Sequence, residues 1–462
     1  MMMTRKLVSS GLAVLTIGGV ALGMMGKPAT GADIPKSTQQ MLKDLKLDAG
    51  MLKGLDEALA VPKPLLDAAR KEGTVHVAGT YEPRHFRVLV RPFQERYPGI
   101  EVNYVRATRY DRVIKAIIAL KSGKILFDVI MGFGGQAFQF EKLNALANIG
   151  DMPVYSQIPQ YMKSPGDLYV GMRILTRCFA YNTQKVKPED LPKTWDDIVT
   201  SKRWAGKNLA LINRPNYWAL HLWVTKGEDW TKNYLNKLFH EMKPQLRKES
   251  VNAAQQLMGA GEFDGLITGT AHQTAVLRKK GSPVGLHCPE PVIPSLATAM
   301  GILKGGKVNA GKVFANWFLS REGQMAQYHA ARYTPFYPDL RKAGLDSLPD
   351  LKLDDSKRLY HREELWRSEY SVLLKHWKNL WLQGQGLKMR TVNVKIDATK
   401  RSGRRYHFMV DGKDQKVRIS SSDTAITIDG KSAARKAVKK GMTCSITYPG
   451  NDETAKQVSC SK

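Results

Sequence analysis

Between residues 74 and 132 the apolar positions change period repeatedly. "TVHVAGT" (74–80) alternates apolar and polar, as a half-buried strand does. "FRVLVRPFQERYP" (86–98) has helical spacing and runs into a Tyr97-Pro98-Gly99 turn. "IEVNYVRA" (100–107) alternates again, "RYDRVIKAIIALKSGK" (109–124) is helical up to Gly123, and "FDVIMG" (127–132) is a third strand. The order β-α-β-α-β within about sixty residues predicts a parallel sheet wrapped by helices.

The pattern returns further on. "VGMRILTRCFAYN" (170–182), "NLALIN" (208–213), "FDGLITGT" (263–270) and "ATAMGILKGG" (297–306) read as strands. "TWDDIVT" opens a helix, with Thr194 placed to cap it and Asp197 three residues on. "WALHLWVTKG" (218–227) is helical up to Gly227, and "AGKVFANWFLSREGQMAQYHAA" (310–331) reads as one long helix. Two α/β lobes follow, with the chain crossing between them near Thr176–Asn182 and Pro289–Met300. We expect lobe 1 at 73–175, completed by 297–345, and lobe 2 at 176–296. A helical segment at 33–72 precedes them and a helical linker at 346–388 follows.

After residue 388 the style changes to short alternating strands such as "TVNVKID", "RYHFMVD" and "MTCSITY", with "DGK" turns. Residues 389–462 therefore predict a small all-β domain. It carries 16 Lys and Arg against 7 Asp and Glu, and the whole chain of 462 residues has a net charge of +29. Such an excess favours anionic partners without choosing among them. "KRSGRRYHF" (400–408) mixes basic and aromatic residues, as nucleic-acid or polysaccharide binders do. We read it as a solvated basic loop and expect no nucleic-acid partner.

At the other end, Arg5 and Lys6 precede the apolar stretch Leu7–Met25, and small residues Ala29, Thr30, Gly31 and Ala32 follow. This is the order of an export signal, cleaved after Ala32, so residues 1–32 are expected to leave and the mature protein to lie in the periplasm. Of four cysteines, Cys444 and Cys460 flank one short segment and are expected to form a disulfide in that compartment. Cys178 and Cys288 sit alone in apolar surroundings and read as buried free thiols.

Residues 132–137 spell G-x-G-x-x-A, a form of the dinucleotide fingerprint, but at the third strand of its lobe and not the first. No G-x-S-x-G, GxxxxGK[ST] or HExxH is present, nor any metal-ligand spacing. We expect no enzyme, no cofactor and no metal. Open α/β sheets bind ligands beyond the carboxyl ends of their strands. That rule selects Thr80, Tyr81 and Arg84, then Arg109, then Gly132, Gly134 and Gly135 in the first lobe. In the second it selects Asn213, Arg214, Asn216, Trp218, Thr268, Gly269 and Thr270, with Arg173 on a crossing strand. Guanidinium groups pair naturally with carboxylate or phosphate, so the cleft is expected to take a small anionic solute.

As a set, "KTWDDIVTSKRWAGKNLAL", "AYNTQKV", "DVIMGFGG" and "FANWFLSREGQ" resemble the extracellular solute-binding proteins of ABC importers. The resemblance is nearest to the type 2 class that includes binders of ferric iron, polyamines, thiamine and phosphonates. It covers roughly 73–337 and implies the two-lobe periplasmic binding protein fold, closure around a small-molecule ligand, and delivery to an inner-membrane ABC permease by a monomer. Two features depart from it. Ferric members use adjacent tyrosines as ligands, whereas Tyr333 and Tyr337 are four apart and read as core or hinge residues. The β domain is extra, which leaves a basic envelope protein binding a polyanion, or a ferric-iron binder, as the alternatives.

Overall fold

The computed structural model describes residues 34–461 except 134, 294, 352–359, 362–364 and 422. The expected export signal and its cleavage point lie outside these residues. Among the described residues no helix is long and apolar enough to cross a membrane.

The strands predicted near the start are β1 (Thr74–Gly79), β2 (Glu101–Arg106) and β3 (Val129–Met131), and β1 pairs in parallel with both others. With β4 (Val170–Leu175), β10 (Ser295–Ile302) and β11 (Tyr360–His361) they form the first sheet, in the order β11-β10-β3-β1-β2, with β4 also on β10. The second sheet holds β5 (Arg177–Asn182), β6 (Leu209–Ile212), β7 (Gln245–Arg247), β8 (Gly265–Thr270) and β9 (Val284–His287), in the order β7-β6-β8-β5-β9. The chain leaves one sheet at Leu175 and enters the other at Arg177, so a single residue separates the two lobes there. It returns between His287 and Ser295.

Local chemistry explains most boundaries. The helix Trp195–Thr200 starts with the full capping box, Thr194 and Asp197 each satisfying the other's backbone N–H. Gly73, at φ 72°, ends the helix Lys63–Glu72. The Glu72 carboxylate reaches the start of a second helix, accepting from the Asn309 and Ala310 backbones. The long helix expected over 310–331 is instead two, Val308–Leu319 and Arg321–Ala331. Ser320 breaks it by taking the Gly323 N–H, which makes it the cap of the second helix. Gly323 permits the tight junction, since a Cβ there would lie 2.3 Å from the Trp317 carbonyl oxygen.

That junction presents Glu322, fully buried at 0% exposure, to three other segments. Its carboxylate accepts two bonds from Arg96 at 2.9 Å each, one from Trp317 Nε1 at 2.7 Å and one from Thr38 Oγ1 at 2.5 Å. One side chain thus ties the N-terminal helix Lys36–Leu45 to the body of lobe 1.

The C-terminal strands are β12 (Arg390–Lys395), β13 (Ala398–Lys400), β14 (Arg405–Val410), β15 (Lys413–Arg418), β16 (Ala425–Ile428), β17 (Lys431–Ser432), β18 (Thr443–Tyr448) and β19 (Gln457–Ser461). They form sheets β12-β18-β19-β16-β17 and β13-β14-β15 around one core. Cys444 and Cys460 face each other on β18 and β19 and are disulfide-bonded. Tyr406 and Phe408 lie in this core, so the basic–aromatic mixture of 400–408 is strand alternation with the rings turned inward.

Two expectations change. Cys178 and Cys288 are joined in a disulfide and are not free thiols. β5 and β9 pair Phe179 with His287, which brings the flanking cysteines opposite each other. The helix Leu365–Gly384, expected in a linker, buries Leu373, Trp377, Leu380 and Trp381 in the core of lobe 2.

Replacing Glu322 with Gln is expected to cost on the order of 3–5 kcal/mol, because Arg96 loses its buried partner. Urea denaturation of the variant checks this, and a loss under 1 kcal/mol would show that the pair behaves like a surface ion pair.

Candidate functional site

Arg173 and Arg177 stand on either side of the crossing point between the lobes, at 3% and 6% exposure. A buried guanidinium needs a partner for each face and edge. Arg173 has aromatic faces and one bond: its Cζ lies 3.6 Å from the Tyr333 ring centroid and 4.5 Å from that of Tyr81. Its Nη2 donates to Thr80 Oγ1 at 3.0 Å. Arg177 lies 3.7 Å over the Tyr217 ring. In both arginines Nε and Nη1 are buried with no hydrogen-bond partner among the described residues.

Arg112 is the third buried guanidinium, at 8% exposure. Its Nε donates to the Gly132 carbonyl at 2.7 Å and its Nη1 to the Ala107 carbonyl at 2.8 Å. Burial brings its pKa down to about 10, and the nearby charges of Arg109 and Arg173 add to the fall. Arg177 is likewise lowered, by burial first and then by Arg173 and Arg214. His272 stacks on Tyr333 at 4.3 Å, with a buried, unpartnered Nδ1. Burial, then Arg173 and Arg177, push it well below the usual imidazole range, so it is neutral at pH 7.

No carboxylate pairs with these three arginines among the described residues. The acids nearest in sequence to the rim are engaged elsewhere, Glu82 with Arg106 at 3.0 Å and Asp111 with Lys115 and Thr108. Cations gathered without counter-charge repel one another, and an anion in their midst relieves both repulsion and desolvation.

The expected residues divide. Thr80, Arg109, Arg173 and Arg214 join this cluster, Arg214 exposed on the turn beside Tyr217. Tyr81 supports Arg173 with its ring, while its hydroxyl donates inward to Gln327 at 2.8 Å. Arg84 is exposed on the helix Pro83–Leu89, where its charge reaches His85. Asn213 accepts from Trp377 Nε1 at 2.8 Å, and Asn216 is buried in the same turn.

Others serve the fold and not the cleft. Gly132, at φ 88°, donates its N–H to the Ala299 carbonyl and gives its own carbonyl to Arg112, so it offers a ligand no amide. Gly135 is buried, and Gly134 lies outside the described residues. Trp218 stacks on Trp195 in the core of lobe 2. Thr268 is buried in β8, and Gly269 faces Ala180 and Gln255, where a Cβ would lie 2.5 Å from the Ala180 Cβ. Thr270 donates both N–H and hydroxyl to Gln255 Oε1.

Sequence reasoning missed Arg112, Arg177, His272, Tyr217 and Tyr370, and placed Tyr333 in the core or hinge. A signal for Arg177 was present: two arginines interrupt the apolar run "VGMRILTRCFAYN", where a buried strand should have none.

The bacterial extracellular solute-binding protein family matches residues 79–325, and the chain belongs to it. Iron uptake protein A1 of Synechocystis sp. (strain ATCC 27184 / PCC 6803 / Kazusa) is 23% identical over 229 residues, 47% of this chain and 60% of that protein. The match thus spans less than two thirds of that relative. Iron-bound HitA from Pseudomonas aeruginosa has a similar structure, with a TM-score of 0.55 at 17% identity over 66% of this chain and 99% of its own. The periplasmic binding protein AfuA from Actinobacillus pleuropneumoniae, with exogenous fructose-6-phosphate bound, gives 0.53 at 19% identity over 66% and 98%. At such identities the likeness establishes the fold, two α/β lobes joined by crossing strands.

Replacing Arg177 with Met removes a buried cation that no carboxylate among the described residues neutralises. The ligand-free variant is expected to gain on the order of 1–3 kcal/mol in urea denaturation. A lower denaturation midpoint than the parent would contradict the unpaired state of Arg177.

Proposed function

We propose that the protein captures a small, multiply charged oxyanion, a phosphate ester or a polycarboxylate, between its lobes and hands it to an inner-membrane ABC permease. The observation that carries this is the pair of buried arginines with free N–H groups at the crossing between lobes. A ligand reaching Arg173 and Arg177 touches both halves, so its charge favours the closed arrangement. Family membership supports binding without chemistry on the solute, and an exported site of action. We read the mature protein as a periplasmic monomer that needs no cofactor.

The relatives' ligands differ, with iron in HitA and a sugar phosphate in AfuA. The second suits this cleft better. Guanidinium groups around the site repel a bare cation. The inward-turned Tyr406 and Phe408 argue against base stacking by the β domain, in keeping with a small-molecule partner and no nucleic acid.

Titration calorimetry against inorganic phosphate, sugar phosphates, citrate and ferric ion tests the reading. At least one anion is expected to bind, and Arg177→Ala or Arg173→Ala to weaken it about 10- to 100-fold, the worth of a charged hydrogen bond. Tight ferric binding that survives both substitutions, with no anion bound, would overturn it.

A further inference from the structure

Chain beyond the family-matched stretch ends up at the mouth of the cleft. The helix Leu365–Gly384 is anchored in lobe 2 by its four buried apolar residues. Two indole bonds reinforce it: Trp377 Nε1 donates to Asn213, and Trp223 Nε1 donates to Glu369 Oε2 at 3.0 Å. Tyr370 on the same helix packs with Tyr217 against that core. It also lies in the electrostatic field of Arg109 of lobe 1 and of Arg214.

The β domain continues from this helix and stays on the lobe 2 side through Lys378–Asp423 at 3.3 Å and Lys248–Glu453 at 3.5 Å. From there it reaches across. Arg404 Nη1 donates to the Tyr110 hydroxyl at 2.9 Å, between Arg109 and Arg112 in the chain. The loop that presents Arg404 is held in shape. Gly403, at φ 76°, is buried so close to Arg435 that a Cβ would lie 2.5 Å from its carbonyl oxygen. Tyr406 donates to that same carbonyl at 2.7 Å.

We propose that this extension is a latch across the cleft: fixed to lobe 2, it grips lobe 1 at Tyr110, with Tyr370 set beside Arg109, and solute passes only when the grip opens. The inference rests on the two-lobe capture reading. Its logic is the asymmetry of the two attachments. On lobe 2 the anchor is a buried aromatic cluster, which does not let go short of unfolding. On lobe 1 it is the Arg404–Tyr110 hydrogen bond at the surface, where water competes and release is easy. A hinge whose free edge is held this way opens by breaking the weaker end. The latch also explains why the extension meets lobe 1 beside the arginine site.

The test uses the full chain without ligand. All four native cysteines are paired, so spin labels attach only to introduced ones. Val105→Cys on β2 and Val224→Cys on the helix Ala219–Lys226 are exposed sites, one on each lobe. Pulsed-EPR should give one narrow distance in this parent. Adding Tyr110→Phe and Tyr370→Phe, which delete the two hydroxyls and little volume, should broaden the distribution and shift it. Arg404→Gln should reproduce the Tyr110→Phe effect from the other side of the bond. A broad distribution in the parent, or an unchanged one in all the variants, overturns the latch. Either result leaves the anion titrations to be judged separately.

Discussion

A guanidinium cannot give up its charge at neutral pH, and among the described residues three are buried where the lobes meet with no carboxylate to answer them. Everything local to the cleft follows from that constraint. The aromatic rings of Tyr81, Tyr217 and Tyr333 are the best apolar surfaces on which a planar cation can rest. The carbonyls of Gly132 and Ala107 turn inward to serve Arg112. His272 gives up its proton. These arrangements reduce the cost of burial without removing it, and the remainder is available to a ligand of opposite sign.

Such a site has to be held rigid by something else, because repulsion alone would push it apart. The disulfide between Cys178 and Cys288 fastens β5 to the segment after β9, next to Arg177 and the returning crossover. Gln255 does the same from below, taking the N–H and hydroxyl of Thr270 while its amide donates to Thr274. In lobe 1, Glu322 gathers helices that are distant in sequence. The buried carboxylates of Glu322 and Asp128 are therefore spent on the fold, the first well matched by Arg96, while among the described residues none pairs with the cleft arginines.

The fold was legible because its signals are local. Period-two runs, glycine stops and the Thr194–Asp197 box name their elements from a few neighbouring residues. The split at Ser320 was missed because the apolar spacing continues across it, and only the hydroxyl on Gly323 N–H distinguishes a cap from another helical residue. Part of the site was legible for a topological reason: strand ends face the cleft whatever their residues, which found Thr80 and Arg109, and the crossing strand between the lobes pointed to Arg173. The same rule misled at Trp218 and Gly269, because it locates a backbone and says nothing about side-chain direction. There the packing of Trp195 and the Gln255 network decided. Cys178 and Cys288 were unreadable as a pair, since 110 residues separate them and only the β5–β9 register brings them together.

The appended chain belongs in the same argument about charge. A cleft lined with unanswered arginines is attractive to any anion that passes, so exclusion matters as much as attraction. The extension proposed as its latch is itself basic, and among the described residues it meets the rim of lobe 1 through Arg404 on a phenol and not through a carboxylate. Its Asp and Glu partners are used against its own arginines and the lysines of lobe 2, as with Glu453 between Arg418 and Lys248. An acid at the rim would have neutralised the site from within and competed with the solute. Covering the cleft with phenol and guanidinium groups restricts access and leaves the positive field intact, so closure and affinity do not oppose each other.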